Sequence, residues 1–112
     1  MKITVRSVDY ETDYLYEQTP FEAAVLRRIP GPDGLDYWLA SLSMPLRWRR
    51  DGKDTEVTHV VFRSRSAGKE LAAGRSRMSV GISYIVDQSA LTDPALDPKK
   101  VEYVAIGVAD AA

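Results

Sequence analysis

With 112 residues, 45% of them apolar and 28% charged, the chain has the make-up of a single folded domain spanning 1–112, not of a disordered segment. It contains no cysteine, which excludes disulfides, thiolate metal sites and thiol catalysis and fits a reducing, cytoplasmic setting. The net charge of −1 hides a basic middle: residues 27–77 carry eleven basic and six acidic groups, while both ends are acidic. Such a centre attracts anions or nucleic acid unless acidic strands lie beside it and neutralise it.

Ile3, Val5 and Ser7 alternate with Thr4, Arg6 and Val8, which predicts a strand at the start of the chain with no signal peptide ahead of it. No apolar run is long enough to span a membrane as a helix. From Asp9 to Glu17, three tyrosines (Tyr10, Tyr14 and Tyr16) stand among four carboxylates. Asp9, Glu11 and Asp13 have the opening spacing of a calcium loop, but Tyr14 and Pro20 occupy its obligatory glycine and glutamate positions, so no calcium site is expected. Tyrosines in such a segment suit a protein-binding surface, and Tyr10, Tyr14 and Tyr16 are the candidate partner-binding residues. The alternative is a solvated turn with the ring bodies packed on the core.

Thr19-Pro20-Phe21-Glu22 reads as a helix capping box with proline at the first helical position. A strand over Phe21–Ile29, folded back by Pro30-Gly31-Pro32-Asp33-Gly34 onto the next strand, is the competing reading. We favour the strand, because Pro45 has no N–H to offer a neighbour and a strand ending near Phe21 leaves the sheet where Pro45 does.

The span from Tyr37 to Arg65 predicts one long hairpin, because Asp51-Gly52 lies between two β-prone runs. A two-residue turn pairs Arg50 with Lys53, sets Arg49 opposite Asp54 and Arg47 opposite Glu56, and collects Trp38, Ala40, Leu42, Met44, Leu46 and Trp48 on the other face. Counted on without a break, that register places Val57, His59 and Val61 on the apolar face. It also sets His59 against Met44 and Trp38 against Arg65.

Residues 66–77 form a loop punctuated by Gly68 and Gly74. Met78, Val80, Ile82, Tyr84 and Val86 alternate with small residues in a half-buried strand, and Gly81 within it allows a bulge or a close backbone approach. Residues 87–100 leave room for a short helical turn around Ala90 and Leu91. Val101–Ala109 is a last strand, apolar on both faces. The expected architecture is mostly β: a single antiparallel β-barrel or two-layer sandwich of about six strands, with at most short helical turns.

Catalytic signals are poor. No nucleophile elbow, phosphate-binding loop or dinucleotide glycine pattern occurs, and Ser66-Ala67-Gly68-Lys69 matches a Ser-x-x-Lys nucleophile without its companion motifs. A lone histidine cannot build a multi-histidine metal site, and His59 is expected as a mostly buried core group. We therefore expect no enzyme, no catalytic residue, no metal and no cofactor. Arg63, Arg65, Lys69, Arg75 and Arg77 flank the glycine-hinged loop and are the candidate anion-binding set. The first functional reading is a non-enzymatic binding domain that recognises a partner protein, adaptor-like or immunity-like. The second is a small barrel binding nucleic acid or another anion through residues 63–77, with Trp38 offering a stacking surface. A third is a barrel holding a small molecule among Trp48, Met44 and His59.

Overall fold

The computed structural model describes residues 1–9, 15–50, 52–65, 71, 74 and 77–111. Its strands are β1 (Lys2–Val8), β2 (Phe21–Pro30), β3 (Asp36–Arg50), β4 (Lys53–Ser64), β5 (Met78–Ile85) and β6 (Val101–Ala111). Each pairs antiparallel with the next, and β6 returns to β1, so the sheet closes into a six-stranded barrel. Of the two architectures the sequence allows, this is the one that leaves no long sheet edge. Among the described residues the only helical pieces are three 3-10 turns, at Tyr16–Gln18, Gln88–Leu91 and Pro98–Lys100. No described helix is long and apolar enough to cross a membrane.

The segment after Thr19 is strand β2, not a helix, and Ala23 pairs with Leu42 and Val25 with Ala40. The ladder stops short of Pro45, as its missing N–H requires. Beyond that point the side chain of Gln18 takes over. Its Nε2 donates to the Arg47 carbonyl at 2.7 Å and its Oε1 accepts from the Arg47 N–H at 2.8 Å, as a neighbouring peptide group would.

The tip of the β3–β4 hairpin follows the expected register. Arg50 pairs with Lys53, Arg49 with Asp54, Arg47 with Glu56 and Leu46 with Val57. Gly52 supplies the positive φ of the turn, at 76°. Arg49 Nε bonds Asp54 Oδ1 at 3.0 Å, while Leu46 and Val57 are buried on the opposite face.

Below the tip the register breaks. Between the Leu46–Val57 and Ser41–His59 pairs, four residues of β3 face one residue of β4. Pro45 sits in this excursion, Met44 is 75% exposed, and Ser43 Oγ donates to the Glu22 carbonyl. The shift is three residues, an odd number, so it exchanges the two faces of β4. Val60 and Phe62 point inward in place of His59 and Val61. His59 is half-buried opposite Ser41, its Nδ1 3.0 Å from Thr58 Oγ1, which corrects the expectation of a core histidine facing Met44. Trp38 lies opposite Phe62, not Arg65.

The barrel interior is filled by β-branched and aromatic side chains, with Phe62, Ile3, Ile82, Val5, Val60 and Val80 fully buried. Leu15, from the β1–β2 connection, and Leu71, from the β4–β5 connection, are buried in the same cluster. These connections lie at opposite ends of an up-and-down barrel, so the two leucines close it from both sides. The gap under Trp48 amounts to about 10 Å³, room for a single water at most. A second core lies outside the barrel. Ile29, Leu39, Val61 and Ile85 face outward from β2, β3, β4 and β5 and are covered by Ala90 and Leu96 of the β5–β6 connection. The short turn expected near Ala90 is present and belongs to this cover.

Candidate functional site

Alternation from the inward-facing Phe62 sends Arg63 to the outer face of β4, beside Gly81 of β5, and Arg65, one residue beyond the strand, lines the same groove. On the far side of β5, Ser83 pairs with Tyr103 of β6. A groove of about 290 Å³ lies between these rows. Arg63, Arg65, Tyr37 and Tyr103 form its walls, with Gly81 and Ser83 on its floor. Leu96 and Pro98, from the covering connection, add an apolar rim. A Cβ on Gly81 would meet nothing closer than 3.7 Å, so the glycine is not forced by crowding; it keeps the floor low.

The β2–β3 turn holds one side of the groove in place. Gly31 lies so close beneath the Tyr37 ring that a side chain there would overlap it. Asp33 Oδ2 accepts from Tyr37 Oη at 3.0 Å and from Arg63 Nη1 at 2.9 Å, and Asp33 Oδ1 accepts from the Leu35 N–H. Desolvation pushes the Asp33 carboxyl up, but these hydrogen bonds outweigh it and hold its pKa below the ordinary value. For Tyr37, burial acts first and the Asp33 carboxylate second, and both push its pKa up. The Arg63 guanidinium lies over the Tyr37 ring, 6.0 Å from its centroid. Arg63 is thus a positioned cation with one arm committed. Arg65 is exposed, and no described carboxylate pairs with it.

Of the five cations expected to bind an anion, the structure brings Arg63 and Arg65 into one groove. Arg77 is exposed just ahead of β5, outside the groove lining. Lys69 and Arg75 lie outside the described residues. Tyr16 is 55% exposed and borders a second depression with Val8, Ile106 and Val108, whereas Tyr10 and Tyr14 lie outside the described residues. Tyr37, Asp33 and Tyr103 were missed. Tyr37 replaces its neighbour Trp38 beside the arginines because the odd register shift swaps the faces, and no local signal marks that shift apart from Pro45. Among the described residues no group of three histidine or carboxylate side chains is placed to hold a metal.

No family model, curated protein or solved structure matches the chain.

Proposed function

We propose that this barrel is a binding domain without catalytic activity, and that the groove over β5 receives an anionic group of its ligand. The observation that carries the reading is the pair Arg63 and Arg65 on one groove wall, with the carboxylate of Asp33 engaging only the first. A guanidinium that no described carboxylate engages, beside one already fixed in orientation, is the arrangement that favours bidentate contact with phosphate or carboxylate. The only imidazole, His59, is absent from the groove lining, and among the described residues the barrel interior is packed with buried apolar side chains.

The test is an NMR titration with pyrophosphate at two salt concentrations. Shift changes concentrated at Arg63, Arg65, Gly81 and Ser83, weakened by salt and lost in Arg65→Ala, are expected. Changes spread evenly over the surface, or retained in the variant, would refute the reading.

A second reading, recognition of a partner protein, draws on a different observation. Tyr16 is exposed beside the outward-facing Ile106 and Val108, in a shallow depression of about 550 Å³. Tyrosine beside aliphatic surface is the composition of an interface centre. Co-purification that survives nuclease treatment and is lost with Tyr16→Ser would favour it, and capture unaffected by that change would count against it.

A further inference from the structure

We infer that the ligand of the β5 groove is single-stranded nucleic acid, its phosphates along the arginine wall and a base against Tyr103. The inference rests on the anion-binding reading of the same groove and adds the identity of the ligand.

Three features of the outer face support it. The first is its cross-section. Going round the barrel from β4 to β6, a row of cations (Arg63, Arg65) is followed by a row of small residues (Ser79, Gly81, Ser83). An aromatic and aliphatic row (Tyr103, Ile106, Val108) comes next. Gly81 pairs with Arg63 on one side and with Ile106 on the other, and Ser79 lies between Arg65 and Val108, so the low row separates charge from apolar surface at these two positions. A single strand of nucleic acid has the same division, with charge on one edge and flat apolar rings on the other.

The second feature is length. The groove at Gly81 and Ser83 lies over β5, and the depression bordered by Ser79 lies beside it, over Ile106, Gly107 and Val108 of β6. Gly81 in the first and Ser79 at the edge of the second stand two apart, roughly 7 Å along β5. Two adjacent open depressions suit consecutive units of a polymer better than one enclosed small molecule. Tyr103 is 57% exposed at one end and Tyr16 55% exposed at the other, so each depression has a ring on which a base can stack. Asp9 borders the far depression from the β1 side, across β6 from the arginines, which confines phosphates to the β4 side.

The third feature is what the face does not offer. β4, β5 and β6 are paired with one another over this region, and β6 is paired with β1 as well. An extended peptide laid here would find no free strand edge for main-chain hydrogen bonds, the usual source of affinity for such a ligand. Nucleic acid needs none, because charge and stacking suffice.

The experiment is an anisotropy titration of the full chain with a labelled thymidine oligomer at low and moderate salt. The comparisons are an abasic oligomer of equal length, a duplex, and tripolyphosphate as competitor. The thymidine oligomer should bind more tightly than the other two nucleic acids and be displaced by tripolyphosphate. Arg65→Ala should lower the log–log salt slope by about 0.7. Tyr103→Ala should weaken binding by about 5- to 150-fold, with Tyr103→Phe close to the parent. Both residues are exposed, so neither change threatens the fold. Equal binding of the abasic oligomer or the duplex, or an unchanged Tyr103→Ala, would overturn the inference while leaving the anion groove standing. Oligomer binding that neither tripolyphosphate nor Arg65→Ala reduces would overturn both. An oligomer that does not bind at low salt would overturn the nucleic-acid assignment, and the pyrophosphate titration then decides the groove separately.

Discussion

Asp33 is the residue on which one wall of the groove depends, since it orients Tyr37 and Arg63 at once. Its folded pKa lies below the ordinary 3.8, so the stability it contributes is fully present above that value and is lost as the pH falls through the folded one. In Asp33→Asn the acid limb of the stability profile should flatten relative to the parent, which urea denaturation across the acid range would read. Tyr37 runs the other way. Its pKa lies above 10.0, so its contribution is intact below that value and fades as the pH rises. The two dependences leave the neutral range flat. A loss of ligand binding between pH 6 and pH 8 would therefore need a cause other than this network.

At the scale of the element, the β3–β4 hairpin shows how a turn and a break divide control of one ribbon. Gly52 fixes the tip, and Gly52→Ala should cost about 1–2 kcal/mol by placing a Cβ in the left-handed region. Gln18 stands in for a missing strand along the upper edge. In Gln18→Ala the Arg47 amide should lose hydrogen-exchange protection while the Ala40 amide, deep in the ladder, keeps it. Below Pro45 the reset register turns Phe62 inward, where it is fully buried. Phe62→Ala should cost about 3–5 kcal/mol in denaturant unfolding. His59→Ala, on the displaced face, should cost far less, reversing the order that an unbroken ladder would give.

The whole molecule is a barrel with a partly covered exterior. A bulge between Val25 and Arg27 brings Arg27 and Ile29 to the outer face. From there the Arg27 guanidinium donates to the carbonyls of Leu91 at 3.0 Å and Asp93 at 2.7 Å. Lys100 Nζ bonds Asp93 Oδ2 at 2.5 Å, and the Leu96 N–H donates to the Pro30 carbonyl. Leu96 is buried in the outer core and also lines the groove. The cover and the binding face are therefore coupled: Leu96→Ala should cost about 2–5 kcal/mol and weaken anion binding together. Arg27→Ala should loosen residues 90–96 in hydrogen exchange and leave the interior of the barrel protected, because the two cores pack on opposite faces of the sheet.

The class of fold, the strands and the hairpin tip are legible in the order of the residues alone. Each of these is local: alternation over a few residues, an Asp-Gly turn, and a proline that ends a ladder on its own side. Alternation likewise sets Arg63 and Arg65 on one face, because period two needs no partner strand, but the unbroken register turns that face toward Trp38 and the structure turns it outward. Whether the sheet closes, which face His59 occupies and which aromatic ring meets the arginines were decided only in three dimensions. Closure depends on β6 meeting β1 from the far end of the chain, as in the Ile3–Ala111 pair, 108 positions apart, and no local pattern encodes that meeting. The exchange of Trp38 for Tyr37 follows from the excursion of β3 around Pro45. A proline in a strand announces a break, but how many residues the break absorbs is settled by packing on both sides of the sheet. Here β2 and Gln18 lie on one side and the inward-facing Val60 and Phe62 on the other.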